Sequence, residues 1–276
     1  MAPWARALRG GRGVKARRYF RVLGIFVRAS ISAQLEYRVN FAVNLFGSVL
    51  LAGGTLLGIT ILYSDGVALG GWSYRESIVV VGLFTLVQGY IGAFLYPNLN
   101  KIGEEVRQGT MDFNLLKPVD AQFLISSRNI NVFRLTDALV GAGLVVWAAS
   151  GLKGTSGTGV LLGLCLIATA LMIVYAVWFM LSTTAFWFVK VGNVTELFNG
   201  LFRAGQFPVA ALPGWVRLMF TFLVPVAFVT TVPAEAIIGR WTIESVLGAG
   251  VVALLLLGVS RWFWTYAISK YTSASS

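Results

Sequence analysis

The 276-residue chain contains no histidine, one cysteine and only 12% charged residues, against the ~25% usual in a soluble domain. Without histidine it has no imidazole general base, no HExxH metal site and no Ser-His-Asp triad. Cys165 stands alone in an apolar run, which excludes an intrachain disulfide and a CxxC redox or zinc site, and it reads as a small buried apolar residue. No GxxxxGK[ST] phosphate loop occurs, so nucleotide hydrolysis cannot be assigned to this polypeptide. Lone hydroxyls such as Ser182, Thr183 and Thr184 are expected to bond back to helix carbonyls rather than act as nucleophiles. An enzyme is not expected.

What the chain does have is apolar length, with 57% of its residues hydrophobic. A bilayer crossing needs ~20 apolar residues at ~1.5 Å each. Uncharged stretches run from Val39 to Ser64, Ser77 to Asn100 and Gly154 to Val189, with a shorter candidate over 132–152 and a last one from Ser245 through the aromatic Trp262, Phe263 and Trp264. Between the fourth and last stretches, Pro208, Pro213, Pro225 and Pro233 break an apolar segment that also carries Arg203 and Arg217. Each proline removes a backbone donor and clashes with the preceding turn. That segment reads as one crossing near 194–212, followed by short re-entrant or kinked helices over 213–238, tolerated where they face protein or a water-filled path. The fold class is an all-α polytopic membrane protein. Its expected domains are a basic tail and interfacial helix over 1–38 and a single six-span unit over 39–276, with spans near 39–63, 77–97, 132–152, 158–189, 194–212 and 245–267.

The net charge of +11 acquires meaning from its distribution. Nine basic residues precede the first span, and with that end inside, seventeen fall on inner segments against three, Arg75, Lys153 and Arg240, on outer ones. This bias predicts both termini in the cytoplasm and an even number of crossings in a plasma (inner) membrane. The basic tail is read as meeting anionic lipid, not nucleic acid. No cleavable signal peptide is expected, because Arg28 and Arg38 interrupt the early apolar residues. Phe20, Leu23, Val27, Ile31 and Leu35 recur at helical spacing, which predicts an amphipathic helix lying in the inner interface.

The ~30 residues between the second and third spans exceed what a simple reversal needs. Leu99, Ile102 and Val106 share one helical face, Lys101–Glu105 and Glu104–Arg107 place opposite charges side by side, and Gly109 stands where a helix would end. A short amphipathic helix on which a cytoplasmic partner docks is expected. Arg134 and Asp137, three apart, are read as a structural pair, which argues against a secondary transporter coupled to an ion gradient. Gly54–Gly58 and Gly159–Gly163 have spacings that permit close helix approach, although 31 glycines make chance matches expected. A non-transporting scaffold subunit is the remaining alternative.

The string from Ile102 through Glu104, Glu105, Arg107, Gly109, Asp112 and Leu115-Leu116 to Lys117-Pro118 resembles the R-x-G-x-(L/M)-D-x-x-L-L-(K/R)-P signature of type-2 ABC exporter permeases. The later prolines, with Phe207-Pro208, Pro213, Val224-Pro225 and Val232-Pro233, resemble the second signature of that branch. The resemblance implies a permease that pairs with an identical or homologous permease and is driven by two cytoplasmic ABC ATPase subunits. This chain itself would bind no cofactor, ATP and Mg being held by the partner. Ile102, Glu104, Glu105, Arg107, Gly109, Asp112, Lys117 and Pro118 would form or shape the coupling contact, and Phe207, Pro208, Pro213, Pro225 and Pro233 an exit gate. The implied substrate is amphipathic, lipid-like or drug-like, moved outward.

Overall fold

A computed structural model describes residues 12–35, 38–64, 70–188, 191–222 and 225–271. The first eleven residues, Glu36, Lys190 and Val224 lie outside the described residues. In chain order the helices are α1 (Arg12–Leu35), α2 (Arg38–Leu62), α3 (Tyr74–Tyr90), α4 (Tyr96–Leu99), α5 (Ile102–Arg107), α6 (Met111–Leu115) and α7 (Ala121–Ser127). They continue with α8 (Leu135–Ser150), α9 (Gly157–Thr183), α10 (Val191–Phe202), α11 (Gly214–Phe222), α12 (Val232–Ile237) and α13 (Ile243–Lys270). The described residues form no strand. Five helical stretches are long and apolar enough to cross a bilayer: Val39–Leu62, Tyr74–Arg107, Val132–Ser150, Gly157–Phe186 and Ile243–Lys270.

The sixth crossing expected over 194–212 is not a single helix. α10 stops at Phe202, a tight turn occupies Arg203–Gln206, and the chain bends at Pro208. Twelve residues reach only ~18 Å, well short of a ~30 Å hydrocarbon layer. The proline cannot continue the helical hydrogen bonds, and α10 ends before reaching it. Among the described residues between it and α13 come the short α11 and the stretch Ala227–Ile237, which ends in α12.

Prolines also explain two irregular turns inside helices. The stretch Ile91–Leu95 is a π turn, with Tyr96 donating to Ile91, and Pro97 follows at once in α4. Pro97 has no N–H for the carbonyl of Ala93, four residues earlier, so that oxygen is left over. The N–H of Asn131 takes it at 2.9 Å, and buried Asn98 holds Asn129 from the same turn through a side-chain amide bond of 2.6 Å and a return bond of 2.8 Å. A second π turn, Ala227–Thr231, stands before Pro233 in the same way.

Two backbone-close contacts set the core. α3 and α8 run antiparallel, and a Cβ at Gly82 would come within 2.8 Å of the carbonyl of Gly141, while one at Gly89 would collide with the backbone of Ala138. α9 meets α12 similarly: a Cβ at Gly159 would stand 2.6 Å from the carbonyl of Ala236, and Gly163 abuts Ile237. The Gly159–Gly163 spacing thus makes a true interface, whereas Gly54 and Gly58 have open space around them. Aromatic side chains fill the centre, with Trp178 edge-on to Phe198 and Phe202 and Phe179 against Trp264. Cys165 is exposed on α9, contrary to its reading as a buried residue: the whole helix is apolar, so composition alone cannot tell its lipid-facing side from its core side.

The bundle has two polar ends. At one, loops containing Trp72, Lys153 and Arg240 meet. Arg240 pairs with Glu76 at 2.7 Å and lies over the Trp72 ring, while the Glu76 carboxylate accepts the Ser73 N–H at the start of α3. The other end carries α1 and the segment from Lys101 to Arg134, and is called the basic end below.

Candidate functional site

The basic end is built from the end of the second crossing outward. α5 continues almost directly from α4, and Gln108 closes it, with the following Gly109 at φ +70°, a conformation that a Cβ disfavours. The reversal lets Met111 and Ile102 both point inward, each fully buried together with Leu99. α6 then runs to Leu115, and after Pro118 the carboxylate of Asp120 caps α7 by accepting the Phe123 N–H at 3.1 Å. Arg261 of α13 donates to the same carboxylate at 2.6 and 3.1 Å and to Gln122 at 2.9 Å. On the other flank α1 touches this end through polar groups. The Asp120 N–H donates to Tyr19, whose ring stands edge-on to Phe123, and Gln34 and Ser30 bond the backbone of 130–132. Phe20, Ile25 and Ile31 of α1 stay exposed.

The residues expected to form one docking contact divide into two sets. Glu105 turns inward, accepting from Asn114 at 2.8 Å and facing Arg128 at 3.9 Å, so the expected Lys101–Glu105 pair is replaced by contacts across the loop. Ile102 is wholly buried, and Asp112 is half-buried beside Tyr271. Burial first, then that carboxylate, raise the pKa of the Tyr271 phenol. Glu104, Arg107, Lys117 and Pro118 face outward, with Glu104 steadied by Gln108 at 2.8 Å and Lys117 donating to Asn114 at 3.1 Å.

Two further outward residues carry most of the apolar surface here. Phe113 is 68% exposed and Leu116 81% exposed, in a stretch whose neighbours in sequence, Asp112, Asn114 and Lys117, are polar or charged. Their i, i+3 spacing was the available signal, yet α6 is too short for its periodicity to show which side faces the protein.

The later proline set is only partly gathered. Pro208, Pro225 and Pro233 are buried and Phe207 is half-buried, and the Val209 N–H donates to Thr231 at 3.3 Å, joining the bend at Pro208 to the second π turn. Pro213 is exposed and stands outside this cluster. Arg217 donates to the carbonyls of Ala210 at 2.6 Å and Leu212 at 3.5 Å, using its charge to close off a turn.

These features define a multi-pass helical membrane protein with an ordered, charged loop structure at one end and short broken helices before its last crossing. The chain belongs to the ABC-2 transporter family: the family model described as "ABC-2 family transporter protein" matches residues 49–275. It is a type-2 ABC permease, the membrane component of such transporters. No curated protein matches the chain. Among the described residues no group of three or more metal-ligating side chains comes together.

Proposed function

We propose that this permease belongs to an ATP-driven exporter in which a separate ATP-hydrolysing subunit grips the basic end. The observation that carries this reading is the division within the loop. Ile102 and Met111 root α5 and α6 in the core, while Phe113 and Leu116 of the same loop structure are exposed, as are Glu104 and Arg107. Exposed apolar anchors rimmed by charge are the composition of a protein docking surface. A partner moving against them displaces a rigid unit that continues through α5 and α4 into the second crossing. The excess of basic residues at this end supports a cytoplasmic location at the plasma (inner) membrane with both termini inside, and the exposed Phe20, Ile25 and Ile31 support an interfacial role for α1.

Two such permeases, identical or homologous, pair around two ATPase subunits, which hold the ATP and Mg. The short pieces α11 and α12, with the turns at Pro208, Pro225 and Pro233, re-enter from the outer side and gate the exit. The substrate is amphipathic and leaves the cytoplasm.

The test is reconstitution of the full chain with its ATPase in liposomes. Phe113→Asp together with Leu116→Asp is expected to abolish substrate-stimulated ATP hydrolysis and recovery of the ATPase with the permease, while the variant inserts and purifies normally. Unchanged stimulation would falsify the docking assignment.

A further inference from the structure

Between α2, α3, α4, the start of α8 and α10 lies a cavity of about 670 Å³, within the range of drug-sized ligand sites. It runs along the second crossing from Val81 to Asn100, and its chemistry changes along that length. Toward the far end it is lined by Leu51, Ala52, Val81 and Phe84; toward the basic end by Asn100, Asn131, Arg134 and Asp137.

Arg203 opens into this cavity from the turn after α10. Its neighbours fix its depth: Phe202 packs on Phe84 with ring centroids 5.9 Å apart, and Asn199 donates to Tyr96 at 2.6 Å. By helical rise Phe84 lies ~15 Å from Tyr74 at the start of α3 and Tyr96 ~33 Å from it. Arg203 therefore lies beside the second crossing, between the levels of Phe84 and Tyr96, and a cation set against such an apolar stretch is expensive unless it has work to do. The contrast with Arg217 is direct. Arg217 donates to two carbonyls of its own chain. Among the described residues no carboxylate stands within ion-pair distance of Arg203 and no acceptor takes a hydrogen bond from it; Glu196, the acid on the same stretch, accepts instead from Tyr96 at 3.5 Å.

Two further donors in the cavity are open: the amides of Gln88 and Gln206 make no side-chain hydrogen bond among the described residues. The buried amide oxygens of Asn131 and Asn199 lack a donor and, being acceptors, suit a hydroxyl of the ligand rather than its anionic oxygens. Asp137, the only carboxylate among the lining residues, is engaged by Arg134 at 3.5 Å and by Ser48. The cavity thus presents an unpaired cation flanked by amide donors below an apolar wall. Charge-assisted bonds to an anion would satisfy Arg203, and a chain of methylenes would fill the wall beside Phe84.

We infer that this cavity binds an amphipath with an anionic, phosphate-like head, the head held by Arg203 and Gln88 and the tail lying against Leu51, Val81 and Phe84. The inference rests on the permease reading and names the class of molecule this chain accepts.

Equilibrium binding of radiolabelled dodecyl phosphate to the full chain in phosphatidylcholine nanodiscs, without nucleotide, tests it. Arg203→Gln is expected to weaken binding about tenfold or more, in line with the loss of a charged hydrogen bond. Gln88→Leu is expected to weaken it several-fold, and Arg203→Lys to retain most of it. Lys153→Gln, which removes a charge far from the cavity, leaves binding unchanged. Dodecyltrimethylammonium and inorganic phosphate at matched concentrations compete poorly. Wild-type affinity in Arg203→Gln, an equal loss in Lys153→Gln, equal competition by the cationic amphipath, or full competition by inorganic phosphate alone would each overturn the proposal. If Arg203→Gln does not purify as a monodisperse protein, the Gln88→Leu and Arg203→Lys pair decides. Because no ATPase takes part, failure here is distinct from failure of the docking surface, which leaves probe binding intact.

Discussion

Arg261, on the last long helix, forks onto Asp120 with its two terminal guanidinium nitrogens, at 2.6 and 3.1 Å, while the same carboxylate caps α7. One side chain thereby closes the loop structure of the basic end against the last crossing. Arg261 is about half-exposed, so the pair on its own contributes modestly, and the cap supplies a comparable share.

Asp120→Ala removes both functions and is expected to lower stability by about 1–2 kcal/mol. Adding Arg261→Met to that variant costs only what the remaining bond to Gln122 contributes, because the carboxylate partner is already gone. A double-mutant cycle on thermal unfolding of the purified permease checks this. Strict additivity of the two substitutions would show the fork to be energetically idle.

Ile102 and Phe113 occupy the same loop and are expected to fail differently. Ile102→Ala empties a fully buried position and costs about 2–5 kcal/mol. Phe113→Ala changes an exposed side chain and stays within about 0.5 kcal/mol of the parent. Paired measurements of melting temperature and ATPase recovery separate them, with Phe113→Ala losing recovery at parental stability.

The antiparallel contact of α3 and α8 has no room for a side chain at Gly89. Gly89→Leu is expected to prevent accumulation of folded protein, whereas Gly54→Leu, on open surface, leaves expression and monodispersity unchanged. Size-exclusion profiles of the two variants give the comparison.

Orientation is open to chemical labelling in a Cys165→Ser background, a necessary step because Cys165 is exposed. A cysteine at Lys153 is expected to react with an impermeant maleimide added to intact cells, and one at Leu116 only after permeabilisation. Both positions are exposed, so access depends on the side of the membrane alone. The reverse pattern would invert the topology.

The long helices were legible because hydrophobic length is a property of composition. Arg38–Leu62, Gly157–Thr183 and Ile243–Lys270 begin and end close to where charges and turns interrupt the apolar runs. Other features depended on relationships that a linear pattern does not encode. α10 stops at Phe202, where the turn Arg203–Gln206 leads into the bend at Pro208, although the chain is apolar again from Phe207 to Leu212. Glu105 faces inward because Asn114 and Arg128, nine and twenty-three positions later, come to meet it. Arg203 and Arg217 look alike in the sequence, and only the carbonyls of Ala210 and Leu212 separate a structural arginine from an unspent one.

The π turn at Ile91–Leu95 amounts to one extra residue wound into the second crossing. Each residue of an α-helix advances the azimuth by about 100°. Everything beyond the turn, including Ile102 in its socket, is therefore clocked to that insertion. Deleting any one residue of 91–95 would leave the crossing long enough to span yet swing its tip at the basic end around by more than a quarter of a revolution, so the length of this short stretch is constrained more tightly than the identity of its side chains.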